Sequence, residues 1–147
     1  MGILDFFKHK KIKDNVFGNI KYDNHDTWTG KIMFAPVGHE VFVYVQGDVT
    51  GPYKESYEML HELYEKYEML LSKINSTIFY NVQSKINGDY LTNMDELLKC
   101  LKLDELYIYI GSKIDLHYGF DETILSGDYV FTVHMEKWEI CNFSFSH

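Results

Sequence analysis

Arginine is absent from this chain of 147 residues. All 14 basic residues are lysine, and they face 22 acidic ones, so the formal charge is 14 − 22 = −8. Phosphate contacts need clustered Lys and Arg, and base readout leans on bidentate Arg, so the composition argues against a nucleic-acid partner. The one basic cluster is Lys8, Lys10, Lys11 and Lys13. It reads as a solvated N-terminal tail over residues 1–14.

Long hydrophobic runs are also missing. No segment nears the ~20 consecutive apolar residues of a membrane span, so no membrane association is expected. The opening Met1-Gly2-Ile3-Leu4-Asp5-Phe6-Phe7 is too short for a signal peptide, and its charges follow the apolar stretch. Gly2 is not followed by the Ser or Thr at position 6 that myristoylation wants; Phe6 stands there. A cytoplasmic protein is the expectation. Cysteine occurs twice, at Cys100 and Cys141, far apart and with no metal-knuckle spacing. Two reduced, buried thiols are expected rather than a disulfide framework.

What the chain does have is apolar and aromatic side chains. The apolar fraction is 46%, with 12 Tyr and 10 Phe. A chain of this size can bury one sizeable core, which predicts a single domain over residues 15–147.

Val16–Asp23, Thr27–Phe34 and His39–Gln46 read as three strands joined by short polar turns, an antiparallel meander. In the third, Val41, Val43 and Val45 point one way, while Phe42, Tyr44 and Gln46 point the other. After Gly51-Pro52 the period changes, with Pro52 suited to a first helical position. Tyr57, Leu60, Leu63, Tyr64, Tyr67, Leu70, Leu71 and Ile74 fall on one helical face, with Glu55, Glu58, Glu62 and Glu65 nearly opposite. A second short helix is predicted over Thr77–Lys85, and a third over Asn93–Lys102, capped by Thr92. Strands return at Glu105–Ile110, Asp115–Phe120, Tyr129–Met135 and Lys137–Phe145, the last two joined by a bend near Glu136. Leu106, Ile108 and Ile110 share one face of the first of these, Tyr107 and Tyr109 the other. The predicted class is α+β: an antiparallel sheet made of the meander, a helical middle and three to four further strands, with helices packed on one face.

Catalytic templates do not match. His61-Glu62-Leu63-Tyr64-Glu65 starts like a helical zinc-protease motif, but position 65 is Glu where the second His is needed. Asp23-Asn24-His25-Asp26 concentrates ligand atoms without calcium-loop spacing, and reads as a turn. There is no nucleophile elbow and no phosphate loop. No cofactor and no metal ligand set is expected, and the protein reads as a non-enzyme. The best acid/base or metal constellation is Asp115 with His117 and His134 with Glu136, two pairs at strand spacing that would converge if their strands were neighbours.

Two surface features remain. One is the acidic stripe Glu55, Glu58, Glu62 and Glu65. The other is the aromatic far face of the sheet, Tyr44, Tyr107 and Tyr109 with Phe42, exposed unless the strands after Asp115 fold over it. Tyr suits interfaces, because it buries much area at low entropy cost and keeps a polar tip.

Met1-Gly2-Ile3-Leu4-Asp5-Phe6-Phe7-Lys8, Val16-Phe17-Gly18-Asn19-Ile20-Lys21-Tyr22 and Trp28-Thr29-Gly30-Lys31 resemble the start of small uncharacterised bacterial families known only as domains of unknown function. In those families an FG…W.G opening precedes a strand, a long helix and a strand-rich end. Some are similar in size and charge to immunity proteins encoded beside toxins. The resemblance implies a binding protein, an antitoxin-like inhibitor of a basic toxin, and the two surface features make Glu55, Glu58, Glu62, Glu65, Tyr44, Tyr107 and Tyr109 the residues expected to occlude it. The alternatives are a hydrolase or metal-binding enzyme using His117, His134, Asp115 and Glu136, and a homodimer formed through the aromatic sheet face.

Overall fold

The computed structural model describes residues 10–85, 94–120 and 130–146. The strands are β1 (Lys11–Asp14), β2 (Gly18–Tyr22), β3 (Thr27–Phe34), β4 (His39–Asp48), β5 (Gly51–Pro52), β6 (Leu101–Tyr109), β7 (Lys113–Phe120), β8 (Val130–Glu136) and β9 (Glu139–Ser146). The helices are α1 (Lys54–Lys85) and α2 (Met94–Cys100). The class is α+β, with the strands in one largely antiparallel sheet ordered β1-β2-β3-β4-β6-β7-β8-β9 and β5 paired to the end of β4. No helix among the described residues is long and apolar enough to cross a membrane.

Several expectations need correction. Lys11–Asp14, expected in the solvated tail, forms the edge strand β1, paired to β2. The two lysines of that strand suit an edge, where charge discourages pairing with another chain. β4 and β6 run parallel, not antiparallel. The chain between them is α1 and α2, and a helical crossover returns the next strand in the same direction. α1 does not break near Ser76: it is one helix of 32 residues. The Thr77 hydroxyl satisfies itself on the Lys73 carbonyl at 2.8 Å, inside the helix. Ile74, Ile78 and Val82 then carry the buried stripe onward at four-residue spacing. Pro52 belongs to β5, and the helix opens at Lys54. The third helix stops at Cys100, so Leu101–Asp104 are strand. Thr92 and the turn at Ser126-Gly127-Asp128 lie outside the described residues. Cys100 is buried as expected, but Cys141 is exposed.

One apolar cluster holds the fold. By register, Trp28, Ile32, Phe34, Val41, Val43, Val45, Leu106, Ile108, Ile114, Leu116, Tyr118, Phe131, Val133 and Met135 lie on one side of the sheet. They cluster with Met59, Leu60, Leu63, Tyr67, Leu70, Ile74, Ile78 and Val82 of α1. Phe34 meets Tyr67 edge-on at 5.2 Å, and Phe17 meets Tyr57 at 5.1 Å. Each fully buried large side chain contributes ~1.5–3 kcal/mol. Ile110, expected on this face, is in the turn after β6 and is exposed.

Turn chemistry sets the hairpins. The Asp14 carboxylate takes the N–H groups of Val16 and Phe17, and that of Asp23 takes those of His25 and Thr27. Gly47 has no room for a side chain: a Cβ there would lie 2.3 Å from the Gly51 carbonyl oxygen, so only glycine lets β5 fold back on β4. β8 and β9 are separate strands joined at Lys137 and Trp138, both at positive φ (51° and 66°), the geometry of a tight two-residue hairpin.

Candidate functional site on the polar side of the sheet

The side chains opposite the core form two rows that cross five strands. Cross-strand partners share a face, so register alone lines up Tyr44, Tyr107, Asp115, His134 and Asn142 in one row. Phe42, Glu105, His117, Thr132 and Ser144 form the next. The strands after Asp115 therefore extend the sheet beside the tyrosines. They do not fold over them.

A bulge decides the membership of β9. The two-residue turn pairs Glu136 with Glu139 and Met135 with Ile140, but His134 pairs with Asn142, skipping Cys141. Without that extra residue, Phe143 and Phe145 would point away from the core and Ser144 towards it. A one-residue slip exchanges the two faces of a strand. The burial of Phe143 and Phe145 against the core favours the bulge.

The rings are organised. Tyr44 and Tyr107 stack at 4.3 Å with planes 8° apart. Tyr107 also stacks with His117 at 4.5 Å and lies 6.3 Å from Tyr109. The Tyr107 hydroxyl donates to Glu105 Oε2 at 3.0 Å, and His117 Nδ1 lies 3.9 Å from the same oxygen. Burial, then the hydrogen bond and charge of Glu105, push the Tyr107 hydroxyl well above the ordinary tyrosine value. Tyr109 is pushed up to about 12 by burial and by the nearby Asp115 carboxylate. Burial lowers His117 from the ordinary 6.5, and Glu105 and Asp115 only partly offset this. Phe42 remains 48% exposed, with the Lys31 ammonium 4.9 Å from its ring centre.

The four helix glutamates are placed differently. Glu55 Oε1 accepts the N–H groups of Gly111 and Ser112, at 3.1 and 3.0 Å, and so caps the β6–β7 turn. Glu58 lies 4.0 Å from Lys54, and Glu65 lies 3.3 Å from His61. Glu62 is half-buried. The carboxylate held against the tyrosines is Glu105, which sequence reading passed over. Its signal was present: Glu105 precedes Tyr107 and Tyr109 at the same two-residue spacing.

Of the predicted histidine–carboxylate set, Asp115 and His134 meet, with Oδ1 2.7 Å from Nδ1. His117 turns to Glu105 and Tyr107 instead, and Glu136 is exposed at the end of β8. Among the described residues no three His, Cys, Asp or Glu side chains are arranged to hold a metal ion. Ser144, which no sequence motif marked, places its hydroxyl oxygen 3.0 Å from His134 Nε2.

No family model, curated protein or solved structure matches the chain.

Proposed function

We propose that this protein works by docking a protein partner on the polar side of its sheet, α1 and α2 covering the opposite side. The observation that carries this reading is the stack of Tyr44, Tyr107 and His117 flanked by Tyr109. These rings are half-buried and held by one another and by Glu105, so they give up little side-chain freedom on binding. Preorganised tyrosines beside an exposed Phe42 are the composition of an interface centre. The partner is basic: the chain carries a net −8, and Glu105 and Asp115 lie among the rings. Opposite charge speeds encounter, and specific contacts then set lifetime. An immunity protein that occludes a basic toxin, with no covalent bond formed, is the form of this function that the resemblance of the N-terminal motifs supports. Within that reading the docking residues are Tyr44, Tyr107, Tyr109 and Glu105. Glu58, Glu62 and Glu65 supply long-range attraction, and Glu55 serves the fold.

The test is affinity capture from the native host with the intact chain at low and high salt, against Tyr107→Ala and Glu105→Lys. One basic protein should be retained by the parent chain, weakened by salt and lost in both variants. Retention indifferent to salt and to both substitutions rules the reading out.

A further inference from the structure

Asp115, His134 and Ser144 come from three adjacent strands and meet in one line. Asp115 stands directly across from His134; Ser144 is its diagonal neighbour, reached because of the β9 bulge. Asp115 Oδ1 is 2.7 Å from His134 Nδ1, and Ser144 Oγ is 3.0 Å from His134 Nε2. A carboxylate at Nδ1 holds the imidazole proton there, which leaves Nε2 to accept from the serine hydroxyl. A hydroxyl against a base that is itself oriented by a third group is the signature of an activated nucleophile, recognised by geometry whatever the fold or chain order.

On the Asp115 side of His134 lies an open cleft of about 400 Å³, lined by Tyr109, Lys113, Asp115, His134, Cys141 and Asn142 among others; Ser144 is not part of its lining. That volume is within the ~300–1,000 Å³ range of small-molecule sites. Asn142, which lines the cleft, accepts the Phe143 N–H on its Oδ1 at 2.8 Å.

We propose that Ser144 is a nucleophile for small carboxylic esters, with His134 as its base and Asp115 as the positioning residue. Ser144 Oγ attacks the acyl carbon while its proton passes to His134 Nε2. The bond to the leaving alcohol breaks, and His134 returns the proton to the leaving oxygen. Water then attacks the acyl-serine, giving its proton to His134, and the carboxylic acid departs with Ser144 restored. This site shares Asp115 with the docking surface but does not use the Tyr44–Tyr107–His117 stack, and its test needs no partner protein.

The full chain, treated with a fluorophosphonate probe and separately with p-nitrophenyl acetate, provides the test by peptide mass spectrometry. One phosphonyl adduct should form at Ser144 and vanish in Ser144→Ala. His134→Gln should slow labelling by about 100-fold, the scale of general-base assistance. Asp115→Asn keeps side-chain size and should slow labelling while shifting its pH profile, a readout that a purely structural role would not move. Thermal melts of each variant separate slowed chemistry from lost fold. Ser144 labelling no faster than in the urea-unfolded chain overturns the proposal. So does labelling unchanged in both folded His134→Gln and folded Asp115→Asn.

Discussion

The ring of Tyr44 lies 4.3 Å from that of Tyr107, nearly parallel to it, across the parallel junction of β4 and β6. The two residues are separated in sequence by the whole of α1 and α2, and their contact exists because the helical crossover returns β6 alongside β4 in the same direction. A stacked pair of this kind adds about 0.5–1.5 kcal/mol beyond the area it buries. A double-mutant cycle with Tyr44→Ala and Tyr107→Ala, read by urea unfolding, should return a coupling energy in that range. A coupling near zero would mean that the stack is not maintained in solution.

Glu55 answers to the hairpin and not to solvent. Its Oε1 holds two turn N–H groups 56 and 57 residues away. Hydrogen bonds to a charged group are worth ~1.5–3 kcal/mol when dry, and partial exposure reduces this, so Glu55→Ala should cost about 1 kcal/mol. Glu58→Ala, whose ion pair with Lys54 is exposed, should change stability by less than ~0.5 kcal/mol. Equal effects in chemical denaturation would contradict the capping role.

Tyr67 and Tyr118 share a single buried hydroxyl–hydroxyl contact of 2.8 Å, between α1 and β7. Removing one partner leaves the other hydroxyl buried and unsatisfied, at about 1–3 kcal/mol. Tyr118→Phe alone should therefore destabilise the fold by that amount. Tyr67→Phe combined with Tyr118→Phe should cost less than the sum of the two single changes, because the double variant strands no polar group. Additive losses would show that water satisfies each hydroxyl independently.

His117 makes stability depend on pH. Burial lowers its folded value below 6.5, while the unfolded chain keeps the ordinary one. Between those two values the unfolded state binds the proton and the folded state does not, so acidification below 6.5 favours unfolding. The contribution is fully present above 6.5 and lost as pH falls through the folded value. Glu105, Asp115 and His134 are the titratable groups that act on this ring. His117→Phe retains a ring against Tyr107 and removes the titration. The stability of the parent relative to this variant should fall as pH drops below 6.5, measured by urea midpoints at several pH values. A constant difference across that window would remove His117 as the cause.

Local patterns in this chain are strong wherever one face is buried. Alternation marked β3, β4 and β6 because their inward apolar residues, such as Val43 and Leu106, are fully buried and their outward ones are not. The acidic and apolar faces of α1 were legible for the same reason at helical period. The continuity of α1 through Ser76 and Thr77 was missed because both are poor helix formers by propensity, and only the continued burial of Ile78 and Val82 overrides this. β1 was missed because an edge strand made of Lys, Ile, Lys and Asp has no hydrophobic run to declare it.

The sequence by itself determined the class, the apolar core and the set of aromatic side chains that cannot all be buried, since these depend on composition and on the two- and 3.6-residue periods. Tertiary structure decided which strands are neighbours, and therefore that Tyr44 meets Tyr107 and that Asp115 meets His134. It also decided the register of β9. There the odd spacing from Ile140 to Phe143 interrupts the period of two, and only packing against the core resolves that interruption into a bulge that delivers Ser144 to His134. Contacts between distant segments depend on free energies of packing that no single window of sequence contains.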